Sequence, residues 1–177
     1  MKFDVMPVAT EKQIVEIEEA ANHVWHNYYR DIFSPQQIDY MLEKYQSKEA
    51  LKRQMSEGNI YFMLISDGSF AGYMCYKMYS DYVFISRLYI KAEYRRQGLA
   101  KKAIDRLDKL LKSGNSDDVG LSNIKKLRLN VERENYFAIN VYEHLGFTKT
   151  KAVDTDIGSG FVCKEYVMER KIKKDRS

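Results

Sequence analysis

The chain has 177 residues, which is the usual size of a single domain. Hydrophobic residues make up 45% of the sequence and charged residues 31%, so the chain can bury a core and is neither disordered nor collagen-like. The formal net charge of +4 is too small to indicate a dedicated nucleic-acid-binding protein.

The sequence contains no segment that predicts a membrane span or a disulfide framework. The longest purely apolar run, Ile60 to Ile65, has six residues, whereas a membrane-spanning helix needs roughly 20. The first residues lack the apolar stretch of a secretory signal, and Cys75 and Cys163 are the only cysteines. We therefore expect a reduced, cytoplasmic protein with two thiols and no membrane association.

The N-terminal part of the chain predicts a strand and a helix. Residues 2–8 alternate weakly, as in a first strand. Thr10 and Gln13 have the spacing of a capping box, and the helix that follows is expected to end near Arg30. Its apolar stripe consists of Ile14, Ile17, Ala21, Val24 and Tyr28.

Two further helices are predicted from their end signals. Ser34 as a cap, followed by Pro35 at the first helical position, marks the second helix. The third is predicted from Ser47 to Glu57 and ends at Gly58, because glycine suits the left-handed conformation beyond a helix end. The buried stripe of the second helix is Ile38, Met41, Leu42 and Tyr45.

The middle of the chain predicts a meander of three antiparallel strands. Asp67-Gly68 separates two strand-like runs, at 59–66 and 70–79, and is a strong hairpin signal. Ser80-Asp81 then turns the chain into a third strand at 82–90.

The C-terminal half predicts a helix, a strand, a second helix and a final hairpin. The apolar face of the first helix is Leu99, Ala103, Ile104, Leu107, Leu110 and Leu111. The other predicted elements are a polar loop at 114–123, a strand at 126–131, a helix at 135–145 closed by Gly146, and strands at 148–153 and 161–170. These elements predict an α/β (α+β) fold with a mixed, mostly antiparallel central sheet flanked by helices. Residues 1–170 are expected to form one domain and residues 171–177 a solvated basic tail.

The turn from strand to helix at Arg95 to Ala100 has the chemistry of an anion site. A helix N-terminus that is entered through a glycine presents unpaired backbone N–H groups and the positive end of the helix dipole. Gly98 and Ala100 let a phosphate approach the backbone, and Arg95, Arg96 and Lys101 add positive charge. The alternative is a basic helix start whose glycine serves packing only.

A second motif, N-x-x-A-x-x-x-Y-x-x-x-G-F, begins at Asn135. Its Asn135, Ala138 and Tyr142 stand at i, i+3 and i+7, so they share one helix face over roughly 10 Å. The small Ala138 between two polar residues leaves a groove beside the helix.

The two motifs together resemble the GNAT superfamily of acetyl-CoA-dependent N-acetyltransferases. The resemblance rests on R-x-x-G-x-A after the strand Ile85 to Ile90, followed by the N-x-x-A-x-x-x-Y-x-x-x-G-F helix. It is strongest from Tyr61 to Phe147. The helical region 11–58 would be the variable part that this family uses for its acceptor.

The resemblance implies that acetyl-CoA is the co-substrate and that it binds along two elements. The pyrophosphate would lie on the N–H groups of Arg96 to Lys101, and the pantetheine arm would run between strands 82–90 and 126–131. The residues expected to bind the cofactor are Leu88, Tyr89, Ile90, Arg95, Arg96, Gln97, Gly98, Leu99, Ala100, Lys101, Asn135 and Ala138. Asn135 is equally suited to be a helix N-cap.

The implied chemistry is direct attack of an amine on the thioester, with no covalent enzyme intermediate. A strand N–H near Leu88 would stabilise the oxyanion, and Tyr142 matches the position that protonates the departing thiolate. Tyr142 also fits a core role. The general base is open: Glu132 and Glu93 lie near the implied site, but each is expected to be a solvated carboxylate, and a chain of water molecules fits as well as either of them. Cys75 and Cys163 are expected to be core residues rather than nucleophiles.

The acceptor and the assembly are left open by the sequence. A small amine or polyamine is the first expectation, a protein N-terminus or lysine the second, and an aminoglycoside-like compound the third. A non-catalytic acyl-CoA sensor or interaction module would not require Tyr142. His23 and His26 lack further ligands, so no metal is expected. A homodimer through the C-terminal strands is compatible with the family.

Overall fold

The computed structural model describes residues 1–113 and 123–172. The described residues form, in chain order, β1 (Phe3–Pro7), α1 (Glu11–Tyr28), α2 (Pro35–Gln46), α3 (Lys48–Ser56), β2 (Ile60–Ser66), β3 (Ser69–Met78), β4 (Tyr82–Ile90), α4 (Leu99–Ser113), β5 (Lys126–Glu132), α5 (Tyr136–His144), β6 (Thr148–Gly158) and β7 (Phe161–Lys171). This order of strands and helices confirms the one predicted from the sequence.

The seven strands form one mixed sheet in the order β1-β2-β3-β4-β5-β7-β6. Strands β4 and β5 pair in parallel, from Tyr82 opposite Lys126 to Ile85 opposite Leu129. The pairs β1-β2, β2-β3, β5-β7 and β6-β7 are antiparallel. The predicted mixed, mostly antiparallel sheet with flanking helices is confirmed.

The chain divides into two units, which share strand β4. Unit 1 comprises Met1–Lys77 and Arg87–Ala103, and unit 2 comprises Met78–Ser86 and Ile104–Ser177. Unit 1 therefore holds β1 to β3, helices α1 to α3 and the end of β4. Unit 2 holds the start of β4, the strands β5 to β7, helix α5 and most of α4. Each unit is described separately below.

In unit 1, local signals set the helix ends and the hairpin. Thr10 and Gln13 form the predicted capping box, and the side chains of Ser34 and Ser47 cap α2 and α3. Asp67 and Gly68 both have positive φ, of 47° and 82°, which is the geometry of the tight hairpin turn that matches strand twist.

The core of unit 1 lies between the inner stripes of the helices and the sheet. Large side chains that are fully buried in it include Ile17, Ile38, Leu51, Tyr61, Leu64, Tyr73 and Tyr76. Two polar groups inside it satisfy each other, because the Tyr73 hydroxyl donates to Gln46 Oε1 over 2.9 Å. Burial of each large apolar side chain contributes roughly 1.5–3 kcal/mol to folding.

In unit 2, helix α4 buries the predicted stripe with one exception. Ala103, Ile104, Leu107 and Leu111 are buried, as is Leu99 at the start of the helix in unit 1. Leu110 is 43% exposed, so its predicted burial is wrong. It lies at one edge of the stripe, in the last turn of the helix.

The final hairpin of unit 2 differs from its prediction in length. Strand β6 runs to Gly158 rather than to residue 153, because its pairing with β7 continues from Thr148 opposite Glu169 to Gly158 opposite Phe161. Strand β7 lies between β5 and β6 and pairs with both. Cys75 in unit 1 and Cys163 in unit 2 are both buried, as the core interpretation predicts.

Two predicted segments fall largely outside the described residues. They are the polar loop at 114–123, of which only Asn123 is described, and the basic tail at 171–177, of which residues 171 and 172 are described. In the part of the chain that is described, no helix is both long and apolar enough to span a membrane.

Candidate active site

The turn before α4, in unit 1, has the backbone geometry of an anion cradle. Strand β4 is followed by a short 3-10 turn, Ala92–Tyr94. Beyond this turn, Arg96 and Gly98 adopt positive φ values of 61° and 73°. The first helical bond of α4 runs from the Lys102 N–H to the Gly98 carbonyl, so the N–H groups of Leu99 and Ala100 have no acceptor within the helix. A Cβ placed on Gly98 would find no atom within 4 Å, so this turn is open on its outer side.

The predicted cationic residues of this turn differ in exposure and in the contacts that they make. Arg95 is tied into the fold, because its Nε donates to the Ile90 carbonyl over 3.1 Å and its guanidinium lies 5.2 Å from the centre of the Tyr28 ring. Arg96, Gln97 and Lys101 are exposed. The open turn with its exposed cations therefore fits a phosphate, and Arg95 holds the turn against α1.

The end of β4, also in unit 1, is anchored by an aromatic cluster. Leu88, Tyr89 and Ile90 are half-buried. The Tyr89 hydroxyl lies 2.8 Å from that of Tyr29, the C-cap residue of α1, and the Tyr89 ring centre lies 5.6 Å from that of Trp25 on α1. Burial raises the pKa of Tyr29 well above its usual value, so its hydroxyl stays protonated. The side chain of Tyr89 thus belongs to the packing, which leaves its main chain for any contact with a ligand.

Helix α5, in unit 2, starts at a buried asparagine. Asn135 is 7% exposed, and its side-chain oxygen accepts the Ala138 N–H over 3.2 Å. The Asn135 N–H in turn donates to the Glu132 carbonyl over 3.0 Å. The interpretation of Asn135 as a helix N-cap is confirmed, and its contact with the cofactor stays a prediction. Ala138 is buried, so it packs the helix inward.

Tyr142 lies two turns into α5 and is half-buried. Its ring centre is 5.8 Å from that of the buried Phe147, in an edge arrangement. This contact accounts for the orientation of the ring. The role of its hydroxyl as an acid stays a prediction.

Glu132, the last residue of β5, is a functional candidate whose environment the sequence left open. Its Oε2 accepts the Lys164 N–H over 3.2 Å, its Oε1 is buried, and the Cys163 thiol also interacts with the carboxyl group. Burial, together with the carboxylate of Glu165 opposite it, raises the pKa of Glu132 to about 7. The side chain of Glu132 is half-buried and therefore less solvated than the sequence interpretation expects, whereas Glu93 is exposed as that interpretation expects.

The two histidines of α1 have other partners than a metal. His26 Nε2 lies 3.3 Å from the Asp39 carboxylate, and His23 lies against Asn27 one turn on. Within residues 1–113 and 123–172, no group of three or more His, Cys, Asp or Glu side chains is arranged to hold a metal ion.

The glycine turn before α4 and the Asn135–Phe147 motif both lie within a region that matches a known protein family. The model of the acetyltransferase (GNAT) family matches residues 20–147, a range that includes the glycine turn before α4 and the whole of α5. The chain belongs to the GNAT acetyltransferase family. This acetyltransferase therefore uses acetyl-CoA as its co-substrate, and the predicted family, enzyme class and cofactor are confirmed.

The acetyltransferase is similar to two proteins of Thermoplasma acidophilum. The spermidine N(1)-acetyltransferase of Thermoplasma acidophilum is 27% identical over 152 residues, which cover 83% of this chain and 87% of that protein. A PaiA N-acetyltransferase from Thermoplasma acidophilum, solved in complex with CoA, has a TM-score of 0.74 at 23% identity and covers 97% of this chain and 99% of its own.

A second solved structure shares the fold at lower identity. It is the spermidine N-acetyltransferase of Vibrio cholerae in complex with CoA and spermine, with a TM-score of 0.65 at 15% identity, covering 96% of this chain and 95% of its own. At these identities the structural likeness establishes the fold of the acetyltransferase.

Proposed function

We propose that this enzyme transfers the acetyl group of acetyl-CoA to a primary amine of a polyamine, with spermidine as the first candidate, by direct attack in a ternary complex. The observation that carries the acceptor class is the 27% identity to a spermidine N(1)-acetyltransferase over 83% of the chain. The fold itself does not specify an acceptor, because acceptor choice depends on side chains rather than on the sheet.

The turn before α4 supports the binding of acetyl-CoA. The N–H groups of Leu99 and Ala100 point out of the first turn of α4, the space beside Gly98 is open, and Arg96 and Lys101 are exposed nearby. We assign the pyrophosphate to this turn. When bound, acetyl-CoA supplies the activated acetyl thioester.

The acidic outer face of α1 supports a cationic acceptor. Glu16, Glu19 and His23 line a cavity of about 350 Å³ in unit 1, together with Lys91 and Glu93. The cavity lining therefore contains three carboxylates, of Glu16, Glu19 and Glu93, and one ammonium group, of Lys91. The local electrostatic potential is negative as a result. Such a surface raises the local concentration of a polyamine and speeds its association at low ionic strength.

Tyr142 is proposed as the group that protonates the departing thiolate. A phenol of pKa about 10 and a thiol near 8.5 differ by about 1.5 units, which is roughly 2 kcal/mol. The transfer is slightly uphill and feasible for an acid held in position. Packing of its ring against Phe147 supplies that positioning.

The test combines binding with turnover. Acetyl-CoA affinity is measured by calorimetry, and thiol release is then measured in the same preparation with spermidine, spermine, and peptides that carry a free N-terminus or a lysine. We expect acetyl-CoA to bind and spermidine to give the highest kcat/KM.

Other outcomes point to the alternatives. Release with a peptide but not with a polyamine would replace the proposed acceptor by a protein amine. Binding without release by any amine would favour an acyl-CoA sensor. An absence of binding would overturn the assignment of the α4 turn.

A further inference from the structure

The turn before α4, in unit 1, contains a residue whose backbone conformation needs support from its surroundings. Arg96 has a φ of 61°, in the left-handed region that residues with a Cβ rarely adopt because it costs free energy. Gly98, with a φ of 73°, adopts the same region without that cost. A strained conformation persists only where neighbouring contacts enforce it. Contacts beside Arg96 must therefore keep this turn in its observed shape.

Arg95, the residue before Arg96, is fixed through both its main chain and its side chain. Its backbone N–H donates to the Ala92 carbonyl over 3.2 Å. Its Nε donates to the Ile90 carbonyl at the end of β4 over 3.1 Å, and its guanidinium carbon lies 5.2 Å from the centre of the Tyr28 ring. An aromatic ring attracts a guanidinium group that lies over it. The Arg95 side chain thus joins the turn to β4 on one side and to α1 on the other.

Tyr28, the last residue of α1, is itself held by neighbouring rings. Its ring centre lies 5.0 Å from that of Tyr29 and 6.3 Å from that of Tyr89 on β4, both in edge arrangements. The Tyr89 ring also packs against that of Trp25, with 5.6 Å between the centres. All of these residues belong to unit 1. The Tyr28 ring therefore has a set orientation and gives Arg95 a defined place to lie.

We propose that Tyr28 is a positioning residue for acetyl-CoA, because its ring holds the Arg95 guanidinium and Arg95 holds the turn in the shape that binds the pyrophosphate. In that shape the N–H groups of Leu99 and Ala100 point out of the first turn of α4. Tyr28 acts through Arg95 rather than by contact with the cofactor. Without the ring, the turn populates other conformations, and the apparent Kd rises as the binding-competent fraction falls. This inference rests on the assignment of the pyrophosphate to the turn in the proposed function.

Two simpler roles of these residues predict different behaviour. If Tyr28 only packed the end of α1, its replacement by Leu would lower stability and leave the affinity for CoA unchanged. If Arg95 acted only through its charge, a lysine at position 95 would serve as well. The positioning role predicts instead that ring and guanidinium are both required, and that the loss of either weakens CoA binding.

Calorimetry with CoA tests the proposal on single variants. We expect Tyr28→Leu to raise the Kd roughly 3- to 30-fold, and Tyr28→Phe, which keeps the ring, to retain most of the affinity. Arg95→Lys keeps the charge but loses the planar group and the Nε bond to Ile90, so its Kd should rise similarly. It leaves α1 unchanged and remains decisive where Tyr28→Leu folds poorly. Tyr40→Leu, which removes a ring 5.5 Å from the Lys44 ammonium on α2, is the matched control and should bind as the wild type does.

A double-mutant cycle tests whether Tyr28 acts through Arg95. In an Arg95→Ala background, Tyr28→Leu should have no further effect on the Kd for CoA. Additive effects of the two substitutions, or wild-type affinity in Tyr28→Leu or Arg95→Lys, would overturn the proposal. Gly98→Glu separates this failure from that of the proposed function. If Gly98→Glu weakens CoA binding while Tyr28→Leu does not, only the positioning role is lost. If neither weakens it, the assignment of the pyrophosphate to the turn is overturned as well.

Discussion

The backbone of Gly72 on β3 lies against the carbonyl oxygen of Tyr89 on β4, so that a Cβ at position 72 would be 2.2 Å from that oxygen. No side chain larger than hydrogen fits without moving one of the two strands. We expect Gly72→Ala to reduce the free energy of unfolding by more than about 2 kcal/mol, because a backbone atom cannot yield as a side chain can. Urea unfolding measures the loss.

Gly68→Ala is the matched control for this prediction. Gly68 has a φ of 82°, but nothing lies within 4 Å of its added Cβ. Its substitution should therefore cost only the left-handed strain of about 1–2 kcal/mol. Equal stability of Gly72→Ala and the wild type would show that the strands separate readily at this point.

Substitutions of Gly98 should distinguish the effect of added bulk on CoA binding from the effect of added negative charge. Gly98 has a φ of 73° and open space around it. The backbone strain is therefore the same in the variants Gly98→Ala, Gly98→Gln and Gly98→Glu. Gly98→Glu places a carboxylate where the pyrophosphate is expected, whereas Gly98→Gln adds the same bulk without charge. We expect the Kd for CoA to be on the order of 100-fold higher for Glu than for Ala, with Gln in between.

Calorimetry with CoA measures all three Gly98 variants. Circular dichroism of each variant checks that the fold is retained. If Gly98→Glu binds CoA as tightly as Gly98→Ala, the pyrophosphate lies elsewhere.

Removal of the Tyr142 hydroxyl should affect turnover rather than affinity. Tyr142→Phe keeps the ring contact with Phe147, so the local packing should persist. We expect the single-turnover rate of acetyl transfer to fall roughly 10²- to 10⁴-fold, while the Kd for CoA changes by less than about twofold. An unchanged rate would leave Tyr142 with its packing role alone.

Neutralising Glu132 should stabilise the protein at high pH. The pKa of this carboxyl is about 7 in the folded state and near 4.5 when unfolded, so the folded state binds more protons between these values. Wild-type stability is therefore lost as pH rises from about 4.5 to 7, and Glu132→Gln removes that loss.

The gain from Glu132→Gln should appear at pH 8 and be small at pH 4.5. We expect a difference on the order of 1 kcal/mol at pH 8, since the side chain is partly exposed and solvent screens its charge. Urea unfolding of both proteins at the two pH values measures it. A gain of the same size at both pH values would show that the charge of Glu132 is not its cause.

Local features of this protein were predictable from the sequence because each depends on residues a few positions apart. The Thr10–Gln13 capping box, the Asp67-Gly68 turn and the Asn135 cap each join groups within one turn of chain. The glycine turn before α4 and the helix with Tyr142 identified the family for the same reason. The predicted burial of Leu110 is wrong because helical periodicity identifies the apolar face of a helix but not how much of that face neighbouring elements cover.

Only the tertiary structure brought distant segments into register. Strand β7 pairs between β5 and β6, which places Glu165 opposite Glu132, and the Lys164 N–H reaches that carboxylate across 32 positions of sequence. The sequence points to Glu132 but does not show that the side chain is half-buried, that a second carboxylate lies opposite it, or that its pKa is raised. The sequence by itself determined the helix ends, the turns and the two motifs, because the interactions that form them are local. The protonation chemistry of Glu132 was decided by the sheet, because burial and charge repulsion depend on which strands become neighbours.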